Sequence, residues 1–168
     1  SGSMELFESE NLMEGRKRIG CVIEQPALYS GMTARENLIY YNKLLNIKGE
    51  ENINEILSLV DLKDTGKKKT KQFSLGMKQR LSIGISIIGN PDFLVLDEPI
   101  NGLDPSGIKE IRELLLRLNQ EKQITILISS HILGELAKIA TKYGVIEHGN
   151  LVEEFSSTDL SGRCKQSI

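Results

Sequence analysis

Three short apolar runs constrain this chain more than anything else in it. Residues 18–23 (RIGCVI), 93–96 (FLVL) and 123–128 (QITILI) are rich in branched aliphatic side chains, and each ends in polar groups. Those groups are Glu24-Gln25, Asp97-Glu98 and Ser129-Ser130-His131. Runs of this length are consistent with strands covered on both faces. Segments of helical character separate them. Thr33 and Glu36 form a Thr-x-x-Glu capping box ahead of Leu38, Ile39, Tyr41, Leu44 and Leu45, and a second helix is predicted over 51–59. Asp104-Pro105 supplies an N-cap and first-turn proline for a helix running to about Asn119. A further helix is predicted over 132–141, with Leu133, Leu136, Ala137 and Ala140 on one face. Strands alternating with helices imply an α/β fold with a mainly parallel sheet. In such a sheet, functional groups gather beyond the carboxyl ends of the strands.

The remaining segments are less uniform. Residues 143–147 and 151–155 flank His148-Gly149-Asn150, the pattern of a β-hairpin. Residues 61–72 (DLKDTGKKKTKQ) read as a solvated basic loop, since Lys67, Lys68, Lys69 and Lys71 lack the aromatic interleaving of a nucleic-acid surface. Residues 81–88 (LSIGISII) alternate like a half-buried strand, while Leu81, Ile85 and Ile88 also share a helical face behind Ser74 as N-cap. Pattern alone leaves that segment open, and Gly84 and the isoleucines favour strand.

Composition excludes several classes. Lys+Arg 21 against Asp+Glu 23 leaves a formal charge of −2, so no net field draws in a polyanion. With 39% hydrophobic and 26% charged residues in 168, a globular domain is expected. No run approaches the roughly 18 apolar residues of a membrane span, and no secretion signal is visible at the first residue onward. Cys21 and Cys164 are too few for a disulfide framework or a zinc site, which suits a reducing compartment.

An acid pair after a buried strand suits metal-assisted phosphoryl chemistry, and also suits a plain turn before Pro99. Order and spacing separate the two. Residues 73–80 (FSLGMKQR), 93–99 (FLVLDEP), 101–105 (NGLDP) and 129–131 (SSH) resemble, in that order, four motifs of the ATP-binding subunits of ABC transporters. These are the signature motif, the Walker B strand with its glutamate, the D-loop and the switch histidine. The resemblance reaches from Ser1 to about Phe155 and implies a P-loop NTPase fold of the ABC ATPase kind. Expected are a parallel sheet flanked by helices, a helical signature subdomain over about 33–90, and a C-terminal hairpin. A partial ATPase domain over 1–155 and a polar tail over 156–168 follow from it. The resemblance also makes residues 75–88 helical, against their alternation.

The roles it implies are specific. Ser74 and the Gly76 amide meet the γ-phosphate of ATP across a head-to-tail dimer. Asp97 holds Mg²⁺ through water, Glu98 is the general base for the attacking water, and His131 contacts the γ-phosphate. Asp104 lies at the dimer interface. Alignment on Pro26, Leu28 and Tyr29 puts Glu24 at the Q-loop position, where an acid can reach Mg²⁺ or its water; a one-residue slip puts the usual glutamine there as Gln25. Leu75 stands where the family usually has glycine, and Met77 where glutamine is common. The acid in the Q-loop, with residues 73–80 and 129–133, is similar to the bacitracin and lantibiotic-immunity exporter subgroup.

Implied partners are a second nucleotide-binding subunit and a transmembrane permease docking near residues 26–29, with no nucleic acid. Location is then cytoplasmic, peripheral on the inner face of the membrane. Two other readings stay open: a soluble ABC-type ATPase without transport, and a non-catalytic partner lending its signature in trans. No Gly-rich loop ending in Gly-Lys-Ser/Thr occurs in these 168 residues. The N-terminal part of the domain is therefore expected to precede Ser1, with an exposed sheet edge and negligible ATP binding by the chain alone.

Overall fold

The computed structural model describes residues 5–8, 11–23, 27–47 and 49–159. Among them the chain forms two compact units, Ser1–Ser130 and His131–Ile168.

In the first unit, α1 (Leu12–Lys17) leads into β1 (Ile19–Val22). Helices α2 (Ala34–Leu44) and α3 (Ile53–Leu59) follow, then two short 3₁₀ turns, then α4 (Leu75–Ser86). The strand β2 (Phe93–Asp97), the long helix α5 (Pro105–Lys122) and β3 (Thr125–Ser129) complete it. The strands make one parallel sheet in the order β1-β2-β3. The register sets Cys21 beside Val95 and Asp97 beside Ser129. An ion pair of Arg18 with Asp92 (2.6 Å) ties the starts of β1 and β2, and holds the Asp92 carboxyl below the usual range.

The capping box at Thr33 is present in full. Thr33 Oγ1 accepts from the Glu36 amide (3.2 Å), while the Glu36 carboxylate accepts from the Thr33 amide (2.6 Å). Lys69 Nζ donates to the same carboxylate (2.9 Å). Together these lower Glu36 to about 2, the Thr33 amide being the largest cause.

Residues 75–86 are helical, and the packing explains their strand-like pattern. Gln79, Arg80, Leu81, Ser82, Ile83 and Gly84 are all buried, so α4 is covered on nearly every side and shows no polar stripe. Gly84 is a contact surface: a Cβ there would lie 3.2 Å from Ile56 and from Val60, so its absence lets α3 close on α4. Gly20 is tighter still, since a Cβ would meet the Ser86 carbonyl oxygen at 2.2 Å. Buried Arg80 donates from Nε to the Val60 carbonyl (3.1 Å) and pairs with Glu110, joining α3, α4 and α5.

Three expectations need correction. Residues 61–72 are not merely a solvated loop: Lys63–Thr65 and Thr70–Gln72 are 3₁₀ turns, and Thr70 is buried. Its hydroxyl donates to the Tyr29 carbonyl (2.8 Å) and its amide to the Met32 carbonyl (2.8 Å), contacts across about forty residues of sequence. Helix α5 runs three residues beyond Asn119, to Lys122, and ends where Gln123 turns left-handed. In the second unit, α6 spans only Leu133–Leu136 instead of 132–141. Ile132 at its N-cap position gives no side-chain cap, and Gly134 weakens the segment.

The second unit otherwise consists of β4 (Lys142–Glu147) and β5 (Asn150–Ser156), an antiparallel hairpin. Glu147 pairs with Asn150 around His148 and Gly149, both at positive φ (48° and 78°), as a two-residue type I′ turn requires.

Candidate functional site

The carboxyl end of β2 is built by its neighbour. Ladder pairing sets Asp97 beside Ser129 at the end of β3. The Ser129 hydroxyl donates to Asp97 Oδ1 (2.6 Å) and accepts from the backbone amide of Glu98 (2.9 Å). One hydroxyl thus bridges the carboxylate of one acid and the main chain of the next. Glu98 itself is left-handed, with φ 46°. A non-glycine residue there costs on the order of 1–3 kcal/mol, which the surroundings must sustain. Pro99 and Ile100 are buried immediately after it, and the Asn101 amide returns to the Glu98 carbonyl (3.1 Å). The chain therefore leaves the sheet in a fixed tight turn, with Glu98 at its start.

The N-terminus of α4 is a second constructed feature. Phe73 is buried as an anchor, and Ser74 caps the helix, its Oγ accepting from the Met77 amide (3.2 Å). That bond uses a lone pair and leaves the hydroxyl proton available. The amides of Leu75 and Gly76 lie ahead of the first intrahelical hydrogen bond, at the positive end of the helix dipole. This is the arrangement that receives anions.

The start of α5 packs against it. A Cβ on Gly76 would lie 3.8 Å from the Gly107 Cα and 3.9 Å from Leu103. Leu75 lies over Gly102, at 3.3 Å from where a Cβ would stand, and Gly102 is at φ 74°. Asp104 caps α5 by accepting from the Gly107 amide (3.4 Å), so it has a structural task whatever else it does. The structure thus brings Ser74, Gly76 and Asp104 to two adjoining helix starts, and joins Asp97 to Glu98 through Ser129. His131 is exposed and opens the second unit. Glu24 and Gln25 lie outside the described residues.

Beyond them, Tyr29 is held by Asn37, which accepts from its amide (2.9 Å) and donates to its carbonyl (3.2 Å). Its phenol donates to that of Tyr40 (2.8 Å), and this bond pushes the Tyr29 phenol up. With half-buried Tyr41 they form an aromatic cluster in which Tyr40 and Tyr41 stand on α2 and Tyr29 precedes it.

The donor set at Asp97 suits Mg²⁺. That ion takes hard oxygen ligands and is usually held by one or two carboxylates completed by water and substrate phosphate. A carboxylate accepting one bond from Ser129 retains most of its acceptor capacity. Among the described residues no three His, Cys, Asp or Glu cluster as a metal cage.

Sequence reasoning gave Ser129 no task of its own beyond its place at a strand end. The only signal was a hydroxyl at the end of a run, because the register that sets it beside Asp97 is a property of the sheet. The contact of Leu75 with Gly102 left no signal in the sequence.

A parallel sheet with an acid pair at one strand end, and a capped anion-receiving helix start, is the equipment of a nucleotide-hydrolysing α/β domain. Residues 2–101 match the ABC transporter family, and the chain belongs to it. It is 45% identical over 172 residues to the bacitracin transport ATP-binding protein BcrA of Bacillus licheniformis, covering 100% of the chain and 56% of that protein. It is 43% identical over 154 residues to the lantibiotic transport ATP-binding protein SrtF of Streptococcus pyogenes, covering 92% of the chain and 66% of that protein. The chain thus spans less than two thirds of either relative. Among solved structures, cbiO1 from Clostridium perfringens, part of the ABC transporter complex cbiONQ, superposes with a TM-score of 0.80 at 26% identity, over 92% of this chain and 63% of that one. The family, the ABC ATPase fold with its parallel sheet and hairpin, and the kinship with bacitracin and lantibiotic transport proteins agree with the sequence reading.

Proposed function

We propose that this chain is the hydrolytic and signature-bearing part of an ATP-binding subunit that powers export of, or resistance to, a peptide antibiotic. The observation that carries the reading is the end of β2, where Asp97 is followed by a glutamate locked in a left-handed turn. Relatives whose names specify bacitracin and lantibiotic transport support the substrate class.

ATP is the substrate. Glu98 takes a proton from water as the water oxygen bonds to the γ-phosphorus; the bond from that phosphorus to the β–γ bridging oxygen breaks, and ADP and phosphate leave. Mg²⁺, when bound near Asp97, neutralises charge on the β- and γ-phosphates. Asp97 orients that shell, and Ser129 restrains Asp97. His131 donates to a γ-phosphate oxygen and holds the transferring group in line. Ser74 Oγ–H and the Gly76 amide bind the γ-phosphate held by a second copy, so that two subunits pair head to tail, with Asp104 at their junction. The Q-loop position, filled by Glu24 or Gln25, senses the same shell.

The domain extends over 1–155 with its helical part at about 33–90. A transmembrane permease is the other partner, docking near residues 26–29, which places the subunit on the cytoplasmic face of the membrane. Among the described residues, no helix is long and apolar enough to cross a membrane.

Glu98→Gln in the intact subunit is the test. Hydrolysis should fall by about 10²–10⁴ while ATP still binds, because only the proton acceptor is lost. Undiminished hydrolysis in that variant would overturn the assignment of Glu98. Bacitracin sensitivity of cells carrying it, with the permease present, reads the transport step.

A further inference from the structure

We infer that Ser129 is the positioning residue of the hydrolytic site: its hydroxyl sets the rotamer of Asp97 and the left-handed turn at Glu98 together. The inference rests on the reading of Asp97 and Glu98 given above and adds a residue which that reading did not contain.

Two hydrogen bonds meet on one atom. Ser129 Oγ donates to Asp97 Oδ1 at 2.6 Å, the short range expected when the acceptor is an ionised carboxylate. The same oxygen accepts from the Glu98 amide at 2.9 Å. Its proton is committed to Asp97 and a lone pair to Glu98, so the two groups are coupled through a single rotamer. The partners lie 32 and 31 residues away in sequence, and the β2–β3 ladder brings them together by pairing Asp97 with Ser129.

Glu98 needs such a restraint. At φ 46° it occupies a backbone region that a non-glycine residue seldom holds unaided, and its amide is the group Ser129 grips. Release of that amide frees the peptide between Asp97 and Glu98 to rotate, which moves the base and the metal-orienting carboxylate at once. Ser129 is exposed at the strand end, so its task is not core packing. Groups one layer behind a metal-binding carboxylate commonly fix its orientation, and their loss costs ~10–100-fold in metal affinity or activity.

The experiment compares Ser129→Ala and Ser129→Thr in the intact subunit. Three quantities are read: kcat and KM for ATP, nucleotide affinity with Mg²⁺ against affinity in EDTA, and thermal stability. Ser129→Ala should lower kcat by ~10–100-fold and reduce the gain in affinity that Mg²⁺ brings, with affinity in EDTA unchanged. Ser129→Thr, which keeps the hydroxyl on a β-branched residue suited to a strand end, should restore both. An alanine variant with wild-type kcat and wild-type Mg²⁺ dependence overturns the inference, including when its melting temperature falls, since that is the result of a purely structural bond. A threonine variant as impaired as alanine also overturns it. If wild type hydrolyses ATP and Ser129→Ala does so equally, the inference alone fails. If wild-type nucleotide binding shows no Mg²⁺ dependence, the underlying assignment of Asp97 fails and takes the inference with it.

Discussion

The two units of this chain are held together by different means. In the first, Leu38, Ile53, Leu62, Leu81, Ile83, Leu94, Leu96, Ile111, Leu114 and Leu118 are all sealed from solvent. In the second, Leu136 is the only buried hydrophobic residue among the described ones, while Val145, Ile146, Leu151 and Val152 are exposed. The hairpin relies on its turn, its ladder, an ion pair of Lys142 with Glu154 (2.8 Å) and a stacked Tyr143–Phe155 pair at 5.1 Å. Isolated hairpins of this kind are marginal in water. The rigid framework therefore belongs to the first unit. Asp97, Glu98, Ser74 and Gly76 sit at the ends of elements that bury residues in the core, so small displacements there are resisted by a packed interior, whereas β3, which carries Ser129, alternates exposed and half-buried residues. His131, at the start of the second unit, has no comparable core beneath it.

This contrast can be broken in measurable steps. Leu114→Ala, at a fully sealed site on α5, should destabilise the first unit by ~2–5 kcal/mol in urea titration. A smaller cost there would mean the interior collapses around the gap and is less rigid than its burial implies. Gly20→Ala forces a methyl group against the Ser86 carbonyl and should cost ~1–3 kcal/mol, with faster amide exchange spreading through β1 and the end of α4. Smaller again is the contribution of Glu36. Its carboxyl titrates at about 2 in the fold against an ordinary 4.5, so the folded state binds its proton more weakly than the unfolded chain. The stabilisation is complete above about pH 4.5 and disappears as pH falls toward 2. The urea midpoints of wild type and Glu36→Gln should converge over that window; a constant gap would show the capping box contributing without its charge. Least of all, Ile146→Ser on the hairpin should change stability by no more than about 0.5 kcal/mol, since that side chain is 73% exposed. A loss like that of Leu114 would reveal that something covers the hairpin face.

Legibility along the sequence follows the range of the interactions. The Thr33 capping box, the Ser74 and Asp104 caps, and the His148-Gly149 turn were all readable, because each is decided within four residues by side chains bonding nearby amides. The motif residues of the site were readable for a related reason: they stand at element ends, where turn chemistry and functional chemistry share the same few positions. Helix α4 was not readable from its pattern. Covered on nearly all sides, it has no polar face to mark a period, and its Gly84 serves α3 instead of the helix. Thr70 was misread as solvated because its partners, Tyr29 and Met32, are about forty residues away.

The sequence by itself determined the three sheet strands, helices α2, α3 and α5, the hairpin, the family, and which side chains stand at the strand and helix ends. It did so because apolar runs, caps and turns act locally. Tertiary structure alone decided that Ser129 faces Asp97, that Glu98 turns left-handed beneath that hydroxyl, and that Leu75 closes on Gly102. Each of these depends on the register of a parallel sheet or the approach of two helices, and both are set by the packing of residues far apart in the chain.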